Sequence, residues 1–116
     1  MPRYRVISQT ADELFIELDF SEDDTRYIPE AMDAIYDHFI QDFSKVFVTP
    51  FTKHNGYNHF FSIPNNEATV EVINDAHCAW LDIKIAGDDD ARRMVTQFVY
   101  QWVGSFIVPP DARPYS

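Results

Sequence analysis

Carboxylates are the most abundant reactive groups in this chain, nineteen against nine Lys and Arg, and they are not evenly spread. Eleven of them fall between Asp12 and Asp42: Asp12, Glu13, Glu17, Asp19, Glu22, Asp23, Asp24, Glu30, Asp33, Asp37 and Asp42, with one base, Arg26. The segment's charge of −10 equals that of the whole chain, so the remaining residues sum to zero. Carboxylates at this density can hold a divalent cation, move protons, or offer a charged face to a partner.

The first two uses need convergence, and no pattern supplies it. Asp88-Asp89-Asp90 lacks the Asp/Asn spacing and the glycine of a calcium loop and reads as helix capping. His54 and His59 fall on one face of a hairpin as diagonal neighbours. A stable zinc site wants three or four ligands, so they read as a solvated hairpin tip. His77 and Cys78 are adjacent in a strand and point to opposite faces, with Cys78 a small buried or half-buried filler. His38 stands beside the acids as a bystander. Three glycines cannot build a phosphate cradle, and no nucleophile-elbow or metal-helix motif is present. The expectation is a non-enzymatic protein with no metal and no cofactor.

The elements that must position the acids follow from periodicity. Arg3 to Gln9 and Glu13 to Phe20 alternate, and pairing them so that residue numbers sum to about 22 sets Arg3 against Asp19, Arg5 against Glu17 and Ile7 against Phe15. Ser21 to Thr25 supply N-cap chemistry for a helix from Arg26 or Pro29 to Lys45. Its apolar stripe is Ile28, Met32, Ile35, Phe39, Phe43 and Val46, and Glu30, Asp33, Asp37, Gln41 and Ser44 keep the same rhythm on the opposite side. Asn55-Gly56 suits a two-residue hairpin turn joining Phe47–His54 to Tyr57–Ile63. A further hairpin pairs Glu67–Ile73 with Ala76–Ala86 through Asn74-Asp75, setting Val70 against Ala79. Asp88 to Asp90 cap a second helix, Asp89 to Ile107, stopped by Pro109-Pro110. Its C-terminal half is apolar nearly all round, which implies burial on both sides or an interface.

These elements predict one α+β domain over residues 1–116. It is a twisted antiparallel sheet of about six strands in the order β-β-α-β-β-β-β-α, with two helices packed on it and residues 108–116 an extended Pro-rich tail. The chain is long enough to bury a core, and its single cysteine excludes an internal disulfide. Without a secretory signal or an apolar run of membrane length it reads as a cytoplasmic protein. The negative charge opposes direct binding to nucleic acid or to an anionic membrane.

An ordinary solvated helix face mixes signs to gain i,i+4 pairs, whereas Glu30, Asp33 and Asp37 repel one another by a few tenths of a kcal/mol per pair. A cost accepted in the free protein points to a gain in a complex. Successive acids on one helix face lie about 5 to 6 Å apart, a rigid row comparable to a phosphate backbone. In size, charge and charge geometry the chain resembles bacterial and phage DNA-mimic proteins. The resemblance covers about the first 45 residues, and members of that class share no common fold. It implies occupation of the nucleic-acid-binding surface of a basic partner, such as a histone-like nucleoid protein, a repressor or a nuclease. The contact residues would be Glu22, Asp23, Asp24, Glu30, Asp33 and Asp37. Two alternatives are an immunity protein neutralising a nuclease toxin, and a structural or small-ligand-binding homodimer joined through the second helix.

Overall fold

The computed structural model describes residues 2–21, 26–27, 29–47, 58–63, 68–107, 109 and 114–115. The first two strands, β1 (Arg3–Gln9) and β2 (Glu13–Asp19), form a hairpin. Arg3 faces Asp19 and Arg5 faces Glu17, while Ile7 does not oppose Phe15 as expected. A bulge between Val6 and Ser8 moves Ser8 opposite Phe15. The extra residue lets Gln9 regain the helix side of the sheet opposite Leu14.

A short strand, β3 (Arg26–Tyr27), precedes helix α1 (Pro29–Phe47). Pro29 opens the helix where its missing N–H is no loss, so Arg26 lies outside it, contrary to the earlier of the two expected starts. Met32, Ile35, Phe39 and Phe43 are fully buried as the stripe requires, joined by Tyr36 and Ile40. Val46 is exposed instead, because Phe47 turns inward to pack against Phe43, tilted, and Phe98, edge to face. The expected caps at Glu22 to Thr25, the stripe residue Ile28 and the expected strand and turn from Val48 to Tyr57 lie outside the described residues.

Strands β4 (Asn58–Ile63), β5 (Ala68–Asp75) and β6 (Trp80–Ala86) complete a five-stranded antiparallel sheet in the order β1-β2-β6-β5-β4. Five of the about six expected strands are in it; of the sixth, Phe47–His54, Phe47 belongs to α1 and the rest lies outside the described residues, and two short strands that were not expected form a separate ribbon. In it β3 pairs with β7 (Pro114–Tyr115), drawn from the expected tail. The β5–β6 register also differs from expectation: Val70 opposes Ile85 and Val72 opposes Ile83. The connection is a 3₁₀ turn, Ala76–Cys78, closed by a left-handed Ala79, and not Asn74-Asp75. The shift brings the whole apolar run of β6 into the ladder, where the Asn-Asp turn would leave Ile83 and Ile85 beyond the end of β5.

β6 also pairs with β2, setting Leu18 against Leu81 and Ile16 against Ile83. Both helices pack on the face formed by these residues, Val70, Val72 and Phe61, in one core cluster. Helix α2 (Asp89–Gly104) starts at Asp88, whose carboxylate accepts from the Ala91 N–H at 2.8 Å. It stops at Gly104, short of the expected Ile107. The Ser105 N–H and hydroxyl satisfy the Gln101 carbonyl there, ending the helix before the prolines are reached.

Candidate functional site

Three of the six expected contact residues, Glu22, Asp23 and Asp24, lie outside the described residues. The other three are on α1. Glu30 and Asp33 are exposed and Asp37 is half-buried, as positions opposite a buried stripe must be. Among the described residues no ion pair involves any of them. Asp33 accepts a hydrogen bond from Asn74 Nδ2 at 2.7 Å, which ties the row to the sheet. One turn beyond the row, Asp42 plays a structural part. Its Oδ2 accepts from Trp102 Nε1 at 3.0 Å and lies 3.4 Å from His38 Nε2. The Trp102 contact pins α1 to α2.

A second acidic group, which sequence reasoning missed, lies on the outer face of the sheet, away from the helices. The β1–β2–β6 pairing lines up Arg5, Glu17 and Asp82 across three strands. The Arg5 guanidinium pairs with Glu17 and reaches Asp19 Oδ2 at 3.2 Å. Among the described residues Asp82 has no such partner, although it is only 8% exposed, and its Oδ1 is buried without a hydrogen bond from them. Burial, then the charges of Glu17 and Asp75, push its carboxyl up to about 7 against the weaker opposing pull of Lys84 and Arg5. Burial also opposes ionisation of Asp19, but hydrogen bonds from Ser21 and the charges of Arg5 and Arg3 outweigh it and hold that carboxyl below its ordinary value. The row can therefore keep one proton near neutrality. No signal in the sequence announces it, since a β2–β6 pairing that sets Glu17 against Asp82 runs against cross-strand charge preference.

The remaining candidates have structural surroundings. His59 is fully buried and not at a solvated tip: its Nδ1 and the Tyr36 hydroxyl share a hydrogen bond at 2.5 Å. Burial and the charges of Asp37 and Glu71 raise the Tyr36 phenol above its ordinary value. Cys78 is exposed in the 3₁₀ turn and not a filler in a strand. His54 lies outside the described residues. Asp89 and Asp90 pair with Arg92 and Arg93 one turn on, and among the described residues no group of three His, Cys, Asp or Glu side chains could hold a metal ion. The apolar excess of α2 is largely absorbed inside the domain, with Val95, Val99 and Val103 buried and Phe98 and Trp102 against Phe39. No helix among the described residues is long and apolar enough to cross a membrane. Comparison of the chain with protein-family models, curated proteins and solved structures finds no match.

Proposed function

We propose that this protein binds a basic protein through the carboxylates of α1, presenting charge as a nucleic-acid backbone does and so occupying the partner's nucleic-acid-binding surface. The observation that carries the reading is that Glu30, Asp33 and Asp37 share the outward side of one helix without an ion pair among the described residues. The other side of that helix is locked into the core by Met32, Ile35, Phe39 and Phe43. The row is thus held in place before a partner arrives, which lowers the ordering cost of binding. Its like-charge repulsion is relieved when a cation-rich surface docks, and many such pairings speed association and weaken with salt. A histone-like nucleoid protein, a repressor and a nuclease all offer such a surface, and an immunity protein is a special case of the same mode.

The test is affinity capture from a native lysate at low salt, with bound protein challenged by raised salt and separately by duplex DNA. Release of a basic nucleic-acid-binding protein by both is the expected result. The variant carrying Glu30→Lys, Asp33→Asn and Asp37→Lys should lose that protein while keeping its thermal unfolding midpoint within a few degrees. Capture that survives the variant, or a partner indifferent to DNA, overturns the reading.

A further inference from the structure

The core-side residues of β1 are only partly covered, because β1 is an edge strand and α2 leaves a cleft along it. This cleft of about 740 Å³ is floored by Tyr4, Val6 and Leu14 and walled by α2, within the size range of small-molecule sites. Val6 is 51% exposed and Tyr100, on the helix wall, is 67% exposed. The cleft is polarised along its length. One end is apolar, where Tyr4 and Tyr100 meet edge to face with ring centroids 5.7 Å apart. At the other end stand Arg92 and Arg93.

The charge of this cleft is opposite to that of the chain. Among the described residues its charged lining side chains are Arg92, Arg93 and Asp89, a net positive set on a protein of net charge −10. Arg92 is held in place: Nη1 donates to the Thr10 carbonyl at 2.9 Å, Nη2 pairs with Asp89, and among the described residues its buried Nε has no hydrogen-bond partner. Arg93 is 76% exposed, and its one ion pair among the described residues is a 3.8 Å contact to Asp90, which leaves its guanidinium fork accessible to a carboxylate. From Arg92 to Tyr100 the helix rises about 12 Å.

We infer that this cleft binds an amphipathic monocarboxylate, with its head group at Arg92 and Arg93 and its apolar body along Val6 toward the Tyr4–Tyr100 pair. The inference does not depend on the acidic row of α1, which lies on a different element. Burial of Val6 and the tyrosine rings drives association, and the guanidinium groups select the sign of the head group.

Decanoate below its micellar concentration is the probe, titrated calorimetrically beside decanol and decyltrimethylammonium. The expected result is saturable binding of one decanoate per chain, about tenfold tighter than decanol and with no measurable binding of the cation. Arg93→Glu changes an exposed residue and should weaken decanoate at least about tenfold without moving the unfolding midpoint. Val6→Glu should abolish binding. A lack of saturable binding, equal affinity for the three probes, or affinity unchanged by Arg93→Glu overturns the assignment. So does a dimer in solution that Val6→Glu converts to monomer, because a second copy would then fill the cleft.

Discussion

Glu17 and Asp82 face each other directly across β2 and β6, and both are more than nine-tenths buried. Arg5 answers Glu17 from the neighbouring strand, whereas Asp82 is left next to Ile73 on its other side. Two carboxylates in that relation make the outer sheet face sensitive to pH.

The first prediction follows from Asp82. Its folded pKa of about 7 exceeds the ordinary unfolded value of about 3.9. Between those values the folded chain therefore holds a proton that the unfolded chain has released. The stabilisation is complete below about pH 4 and is lost as pH rises through about 7. After allowance for residual water contact, this group should make the protein about 2 to 3 kcal/mol less stable at pH 8 than at pH 5. Urea unfolding at the two pH values should show that slope, and Asp82→Asn should flatten it while raising stability at pH 8. Asp19 acts in a separate window, because its lowered carboxyl stabilises the fold above about pH 4 and loses that effect only as pH falls further.

Removal of the guanidinium that pairs with both Glu17 and Asp19 should be costly. Arg5→Met takes the ion-pair partner from buried Glu17 and one of two nearby guanidinium charges from Asp19. A loss of about 2 to 4 kcal/mol is expected at pH 7, toward the lower end because Arg5 is partly exposed. Chemical denaturation measures it. Arg5→Lys should fall between the two, since an ammonium cannot reach both carboxylates with a planar fork.

Gly87 closes β6 at a φ of +155°, and a Cβ there would stand 2.5 Å from Ala68 Cβ and 3.0 Å from Ala68 Cα. The clash is partly with backbone, so no rotamer change relieves it. Gly87→Ala should cost at least about 2 kcal/mol, read as a fall in the thermal midpoint. It should also loosen the start of α2, where Asp88 caps the next residues.

The row on α1 contains one residue that cannot be reversed freely. Asp33→Lys removes the acceptor of the buried Asn74 amide and should cost about 1 to 3 kcal/mol. Asp33→Asn keeps a carbonyl in that position and should cost less than about 1 kcal/mol. Glu30→Lys, at an exposed site without an ion pair among the described residues, should be nearly neutral. Equal stability of the two Asp33 variants in urea would show that the Asn74 contact contributes nothing.

Local chemistry was legible in the chain itself. The α+β class, the stripe from Met32 to Phe43 with its acidic opposite side, the Arg3–Asp19 and Arg5–Glu17 pairings and the Asp88 cap all depend on residues close in sequence or on one hairpin's charge match. Their periodicities of two and 3.6 residues mark them without reference to the rest of the fold. What only the tertiary structure decided involves strands brought together from far apart. The β2–β6 pairing, which buries Glu17 beside Asp82, sets a long-range apolar match of Leu18 with Leu81 and Ile16 with Ile83 against a local charge penalty. The apolar match prevails, because a register shift by one residue would turn the whole apolar set of one strand to the outer face. The same long-range packing buries His59 against Tyr36, leaves Cys78 in a turn, and opens the cleft between β1 and α2.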